Sequence, residues 1–167
     1  MKSAFLAACF VWVGAVFPAF ASSFEPVALE PIEHQAAQVV IVRPDGTEFA
    51  YSPAELEEFS TFRVRTTTPW REEPADFEGI LLSELMEANG LQDAGAILVT
   101  AENDFTSTVP NDIWDEILVV TRVDGRAHSR RTRGPIQFVM ESGTYNASAT
   151  AREEHLVWMA ARIEALD

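Results

Sequence analysis

The densest chemistry in this sequence is cationic. Between Arg122 and Arg133 lie five arginines, Arg122, Arg126, Arg130, Arg131 and Arg133, with Asp124 as the one acid among them. In a chain whose formal net charge is −14, such a segment is the natural place for an anion to bind. Guanidinium groups suit bidentate contact with phosphate, sulfate or carboxylate. The same side chains would equally hold loops together by pairing with the surplus carboxylates, and the sequence leaves both uses open. Arg130, Arg131 and Arg133 are the candidates for anion contact. They stand just ahead of a Gly134-Pro135 break and the apolar run Ile136-Gln137-Phe138-Val139-Met140, which reads as a buried strand with the basic segment at its entrance. A second polar stretch, Thr66-Thr67-Thr68-Pro69-Trp70, offers hydroxyls and an indole N–H at the end of another strand. Thr68 and Trp70 are therefore candidate lining residues, although a Trp after a Pro equally suits a plug at the rim of the core.

Other chemistry is thin. There is no Gly-x-Ser-x-Gly turn, no phosphate loop and no His-Glu-x-x-His, so no catalytic residues are assigned. His34, His128 and His155 are far apart in the chain and read as individually satisfied, so no metal site is expected. The one cysteine, Cys9, and the one lysine, Lys2, both lie in the first 21 residues.

Those residues read as an export signal. Lys2 supplies the positive end, Ala4 to Phe17 the apolar core, Pro18 a breaker and Ala19-Phe20-Ala21 a small-x-small cleavage site. The core is short against the roughly 20 residues that span a bilayer, so cleavage after Ala21 into the periplasm is expected, with no membrane insertion afterwards. The mature chain would carry 11 Arg against 26 Asp and Glu, a net charge of −15, and no thiol. It would form no disulfide and no thiolate metal site. Its negative field disfavours nucleic acid and anionic membranes. Small anionic ligands held by close contacts, or a membrane sensor or redox partner protein, are the expected partners.

These residues are positioned by short elements. Residues 22–37, with Pro26 and Pro31, read as an extended arm, and residues 38–167 as one domain. Val39 to Val42 and Thr47 to Tyr51 form a hairpin about Pro44-Asp45-Gly46. Ser52, Pro53 and Glu55 spell a helix start with a capping box, Tyr51 is placed to staple on Leu56, and the helix should run to about Phe59. Phe62, Val64 and Thr66 alternate with Arg63, Arg65 and Thr67 as a half-buried strand, and residues 71–78, polar and containing Pro74, read as a loop. A helix is expected from Ile80 to Asn89-Gly90. A second hairpin follows from Ala96 to Val109, a helical or turn segment from Pro110 to Glu116, and a strand from Ile117 to Val123 ending in Asp124-Gly125. Beyond the 136–140 strand, Ser142 to Thr144 should break it, 147–154 should be loop or a helical turn, and Leu156 to Ile163 should be the last strand. Hairpins mixed with a few short helices, and no glycine-rich turn opening a helix, predict an α+β domain.

The order of these features resembles the molybdopterin-binding oxidoreductase domain of the sulfite oxidase type, in a small exported bacterial form. The likeness covers roughly Val39 to Ala165. It rests on the capped helix leading to Thr66 to Trp70, on Phe77-Glu78-Gly79-Ile80-Leu81-Leu82, on Asn103-Asp104-Phe105, on Gly134-Pro135 entering a strand, and on Val157-Trp158 with Arg162-Ile163. The resemblance implies a mixed α+β fold with bent sheets. It also implies a molybdenum site with a cysteine thiolate near Thr66 to Trp70, where this chain has none. The apolar run has no twin-Arg pair before it, and cofactor-loaded proteins of this kind usually leave the cytoplasm by that route. The expectation is therefore a cofactor-free periplasmic domain with a binding, sensory or accessory role. The alternative is an oxidoreductase that binds molybdopterin or another redox cofactor, with Arg130, Arg131 and Arg133 on its phosphate.

Overall fold

In the computed structural model, residues 23–166 are described. The expected signal, its cleavage site and Cys9 lie outside them. Two sheets form the frame, joined by short helices. The first runs β1 (Glu25–Pro26), β4 (Thr61–Thr68), β5 (Arg71–Leu81), β8 (Leu118–Val123) and β10 (Gln137–Val139), with β9 (Arg126–Ala127) paired to β8. The second has the order β3 (Glu48–Tyr51), β2 (Val39–Val42), β11 (Ala160–Leu166), β6 (Ala96–Ala101) and β7 (Thr106–Pro110). All pairings are antiparallel except β11 with β2, which is parallel. The helices are α1 (Pro53–Leu56), α2 (Leu82–Ala88) and α3 (Ser142–Ala147), with 3₁₀ turns at Asn111–Glu116, Arg130–Thr132 and Glu153–His155. This is an α+β domain with mixed, bent sheets, and none of its described helices is long and apolar enough to cross a membrane.

Burial explains the layering. The first sheet is apolar on both faces, so its central strand β8 reads as a continuous run and is buried from Leu118 to Arg122. On one face Ile80, Val119, Ile136 and Phe138 join the main core, which also takes Ile41 and Ile163 from the second sheet and Leu85 and Met86 from α2. On the other face Val64, Phe77, Leu118, Val120 and Val139 form a smaller core capped by Phe24. Residues ahead of β2 thus contribute to packing. Thr61 Oγ1 donates to the Val27 carbonyl at 2.5 Å, and His34 Nε2 lies 3.1 Å from Glu57 Oε1.

Most of the expected elements stand where local chemistry put them. Ser52 and Glu55 form the capping box of α1, which ends at Leu56 with Glu57 as its C-cap, short of the expected Phe59; turns follow to Phe59, whose ring meets Tyr51 edge-on at 5.8 Å. Three expectations need correction. Residues 71–78 are strand, not loop: β5 pairs with β4 along its length, and a register shift between Thr66 and Thr68 gives Pro74 an exposed position where the ladder does not require its missing N–H. Residues 142–147 form α3, because Glu141 caps it by accepting from the Thr144 N–H at 2.8 Å. The last strand begins at Ala160 rather than Leu156, since Met159 takes φ 53° and breaks the extended run.

Candidate functional site

The turn from β4 into β5 adjoins two cavities. Thr68 pairs with Arg71 across it. On one side a cavity of about 190 Å³ is lined by Thr68, Trp70, Arg71, Arg131, Arg133 and Gln137 among others. On the other, a depression of about 340 Å³ is lined by Thr67, Thr68, Ser142, Tyr145 and Asn146 with neighbouring residues. Four of the five residues singled out in the sequence, Thr68, Trp70, Arg131 and Arg133, therefore share one cavity.

Arg130 does not line it. Its guanidinium is bidentate on Glu102, with Nε and Nη2 each 2.7 Å from a carboxylate oxygen, and Nη2 also donates to the Ala36 carbonyl at 3.0 Å. The carboxylate beside it raises its pKa further. Arg130 ties residues 35–36 to the domain, which is the scaffolding use of an arginine. Arg131 differs: it is exposed and makes no ion pair with any described residue. Arg133 sits at φ 79°, closing the 3₁₀ turn, and its carbonyl accepts from the Met159 N–H at 3.2 Å. Its guanidinium carbon lies 5.3 Å from the ring centre of Trp70 and 5.1 Å from that of Trp158, within cation–π range. That stacking leaves its Nε without an acceptor among the described residues.

Arg71 is the lining residue that sequence reasoning missed, because its strand was read as loop. It is shared between the Glu73 carbonyl at 3.1 Å and Asp124 at 3.3 Å. Behind the cavity lies His128, buried, with Nε2 2.8 Å from Gln137 Oε1 and Nδ1 3.3 Å from Thr132 Oγ1. Burial lowers its pKa, the Gln137 contact opposes this, and the positive charges of Arg71 and Arg133 lower it further. His128 is thus neutral near pH 7, and the arginines set the charge of the cavity. Gly134 is required by this ring: a Cβ there would lie 2.6 Å from His128 Cγ.

The three histidines have different partners, His34 with Glu57, His128 with Gln137, and His155 accepting from the Arg152 N–H at 3.2 Å. Among the described residues no group of three or more His, Cys, Asp or Glu is arranged to hold a metal ion.

A second ionic cluster is centred on Glu57, the residue that caps the end of α1. Glu57 accepts from Arg122 Nε at 2.9 Å and Nη2 at 2.5 Å, from Thr121 Oγ1 at 2.6 Å, and faces His34. Burial pushes the Glu57 pKa up, but the bonds from Arg122 and Thr121 and the charge of His34 outweigh it, and the net shift is downward. Arg122, read in the sequence as part of the basic segment, is therefore a structural cation.

No protein-family model matches this chain, and no curated protein matches it. Among solved structures, the chain is similar to the sulfane dehydrogenase SoxCD from Paracoccus pantotrophus, with a TM-score of 0.61 and 12% sequence identity over 84% of this chain. The chain spans only 40% of the length of that neighbour. At this identity the likeness shows the fold alone, a sulfite-oxidase-type architecture of two sheets with a few short helices. The sequence resemblance and the architecture agree on that class.

The residues at the β4–β5 turn do not fit a molybdenum ion. The turn presents the hydroxyls of Thr66, Thr67 and Thr68 and the indole of Trp70, all poor substitutes for a soft thiolate donor. Thr66 is moreover committed, its Oγ1 accepting from the Ser142 N–H at 2.8 Å.

Proposed function

We propose that this chain is an exported binding protein on a sulfite-oxidase-type fold, taking a small oxyanion in the Thr68, Trp70, Arg131, Arg133 cavity in place of metal chemistry. Its role would be sensory or accessory to a membrane or redox protein. One observation carries this reading. In a chain with 26 acidic residues, Arg131 and Arg133 meet no carboxylate among the described residues yet line the same cavity. Two neighbouring guanidinium groups repel each other, and an oxyanion between them removes that repulsion while accepting charged hydrogen bonds worth about 1.5–3 kcal/mol each. Thr68 and Trp70, which line the same cavity, would add neutral donors.

Isothermal calorimetry with sulfate, phosphate and a pterin phosphate tests this reading. Saturable binding of one of them is expected, weakened about tenfold or more in Arg131→Ala, since about 1.4 kcal/mol is a factor of ten. Arg130→Ala should leave affinity unchanged and lower thermal stability, because it loses the Glu102 and Ala36 contacts only. Absence of binding in the wild type, or equal binding by Arg131→Ala, would remove the oxyanion site. The second reading, an oxidoreductase that binds a pterin, draws on the likeness to SoxCD. It requires the pterin phosphate to bind far more tightly than inorganic phosphate, so the same titration separates the two.

A further inference from the structure

Trp70, which lines the cavity of Arg131 and Arg133, also lines a second groove with Trp158, Glu153 and Glu154. We infer that this groove docks a basic segment of a partner protein, with an arginine side chain seated against the aromatic rings. Trp70 and Trp158 meet at a centroid distance of 5.4 Å and an angle of 54°, and with Phe105 and Leu156 they wall a groove of about 250 Å³. Trp158 is 36% exposed and Phe105 44%, unusual for rings of this size.

The backbone holds both rings out. Met159, immediately after Trp158, has φ 53°, and Asp104, immediately before Phe105, has φ 65°. Positive φ at Met159 is costly for a long side chain and persists only where the surroundings impose it. Here the Met159 N–H and carbonyl are fixed by the Arg133 carbonyl at 3.2 Å and the Glu102 N–H at 2.8 Å.

Charge selects the occupant. Glu153 and Glu154 stand at the groove, and neither forms an ion pair with a described residue. The cations nearby are committed elsewhere: Arg152 donates to the Ala149 and Ala151 carbonyls, and Arg133 stacks on both indoles. Arg133 also shows that these rings accept a guanidinium. Aromatic faces beside unpaired carboxylates recognise a cation that is apolar along its stem, which describes an arginine side chain better than a simple metal ion. The negative field of the whole protein, with a net charge of −14, would steer a basic partner towards it.

The test is fluorescence titration of the full chain with an acetylated, amidated Gly-Arg-Gly-Arg-Gly peptide and with the same peptide carrying citrulline, which keeps the shape and removes the charge. At 150 mM salt the arginine peptide should change tryptophan emission saturably and the citrulline peptide should bind at least about tenfold more weakly. Trp158→Ala and the pair Glu153→Gln with Glu154→Gln should each weaken binding about tenfold, while Glu87→Gln, a remote exposed carboxylate, should not. Because Arg133 of the oxyanion cavity stacks on Trp158, the fold of Trp158→Ala is checked independently of sulfate, by a far-ultraviolet circular dichroism spectrum that should match wild type. No binding of the arginine peptide, equal binding of the citrulline peptide, or an unchanged Trp158→Ala would overturn the proposal. Binding of tetramethylammonium without the peptide would overturn it too, in favour of a small-cation site.

Discussion

Glu57→Gln should lower the stability of this protein by about 3 kcal/mol, near the lower end of the roughly 3–5 kcal/mol expected for breaking a buried ion pair. The Glu57 and Arg122 side chains are 8% and 4% exposed, so the amide would leave a guanidinium almost out of water. The lower end applies because Glu78, opposite Arg122 across the β5–β8 ladder, still offers it some negative charge. Replacing both partners, as Glu57→Leu with Arg122→Met, should recover most of the loss, because no charge is then stranded. The pH dependence has a definite sign. The Glu57 carboxyl is held below its ordinary value of 4.5, so its contribution is complete above that value and is lost as pH falls through the lowered folded pKa. The gap between wild type and Glu57→Gln in urea midpoint should therefore be full at pH 7 and close in acid. A loss under about 1 kcal/mol at pH 7 would show that water reaches the pair freely. Since His34 shares the carboxylate, the variant should also expose residues 23–37 to protease.

Gly79→Ala should be at least as damaging. A Cβ at Gly79 would overlap the Val119 carbonyl oxygen and lie 2.8 Å from the Val119 carbonyl carbon and 2.9 Å from Val120 Cα. All three are backbone atoms of the buried central strand β8, so no side chain can turn aside to make room. The glycine sits at the register shift between Glu78 and Gly79, where β5 bends against β8. Overpacking in a core costs about 1–3 kcal/mol and occasionally more, and a clash with backbone belongs at the top of that range. Gly95→Ala is the control, because nothing lies within 4 Å of its added methyl. Equal melting temperatures for the two variants would mean that β5 and β8 stand far enough apart to admit a methyl group at Gly79.

What was legible in the sequence was local chemistry. The capping box of Ser52 and Glu55, the hairpin about Asp45-Gly46 and the Asp124-Gly125 turn, with φ 52° and 72°, are each determined by a few adjacent residues. What was not legible depended on distant partners. Residues 71–78 look like loop until β4 supplies a ladder with a bulge that tolerates Pro74. The parallel pairing of β11 with β2 joins the two ends of the domain and leaves no adjacent signal.

The site divides in the same way. A cluster of arginines marks a basic surface, but only the fold decides which carboxylates reach it, and it sends Glu57 to Arg122 and Glu102 to Arg130 while leaving Arg131 facing a cavity. Arg71 was hidden by the misread strand. Phe105 and Trp158 look like core residues by type, and only the positive φ beside each shows that they are turned outward.

The central claim is that the fold serves binding here rather than molybdenum chemistry, because Thr66 to Trp70 offers no thiolate. The most direct measurement is the molybdenum and chromophore content of protein purified from its native source, where the cofactor would be available. The expected result is molybdenum far below one per chain and no absorption beyond that of the aromatic side chains. Close to one molybdenum per chain, retained through gel filtration, would contradict the claim and show that a ligand set of hydroxyls holds the metal after all.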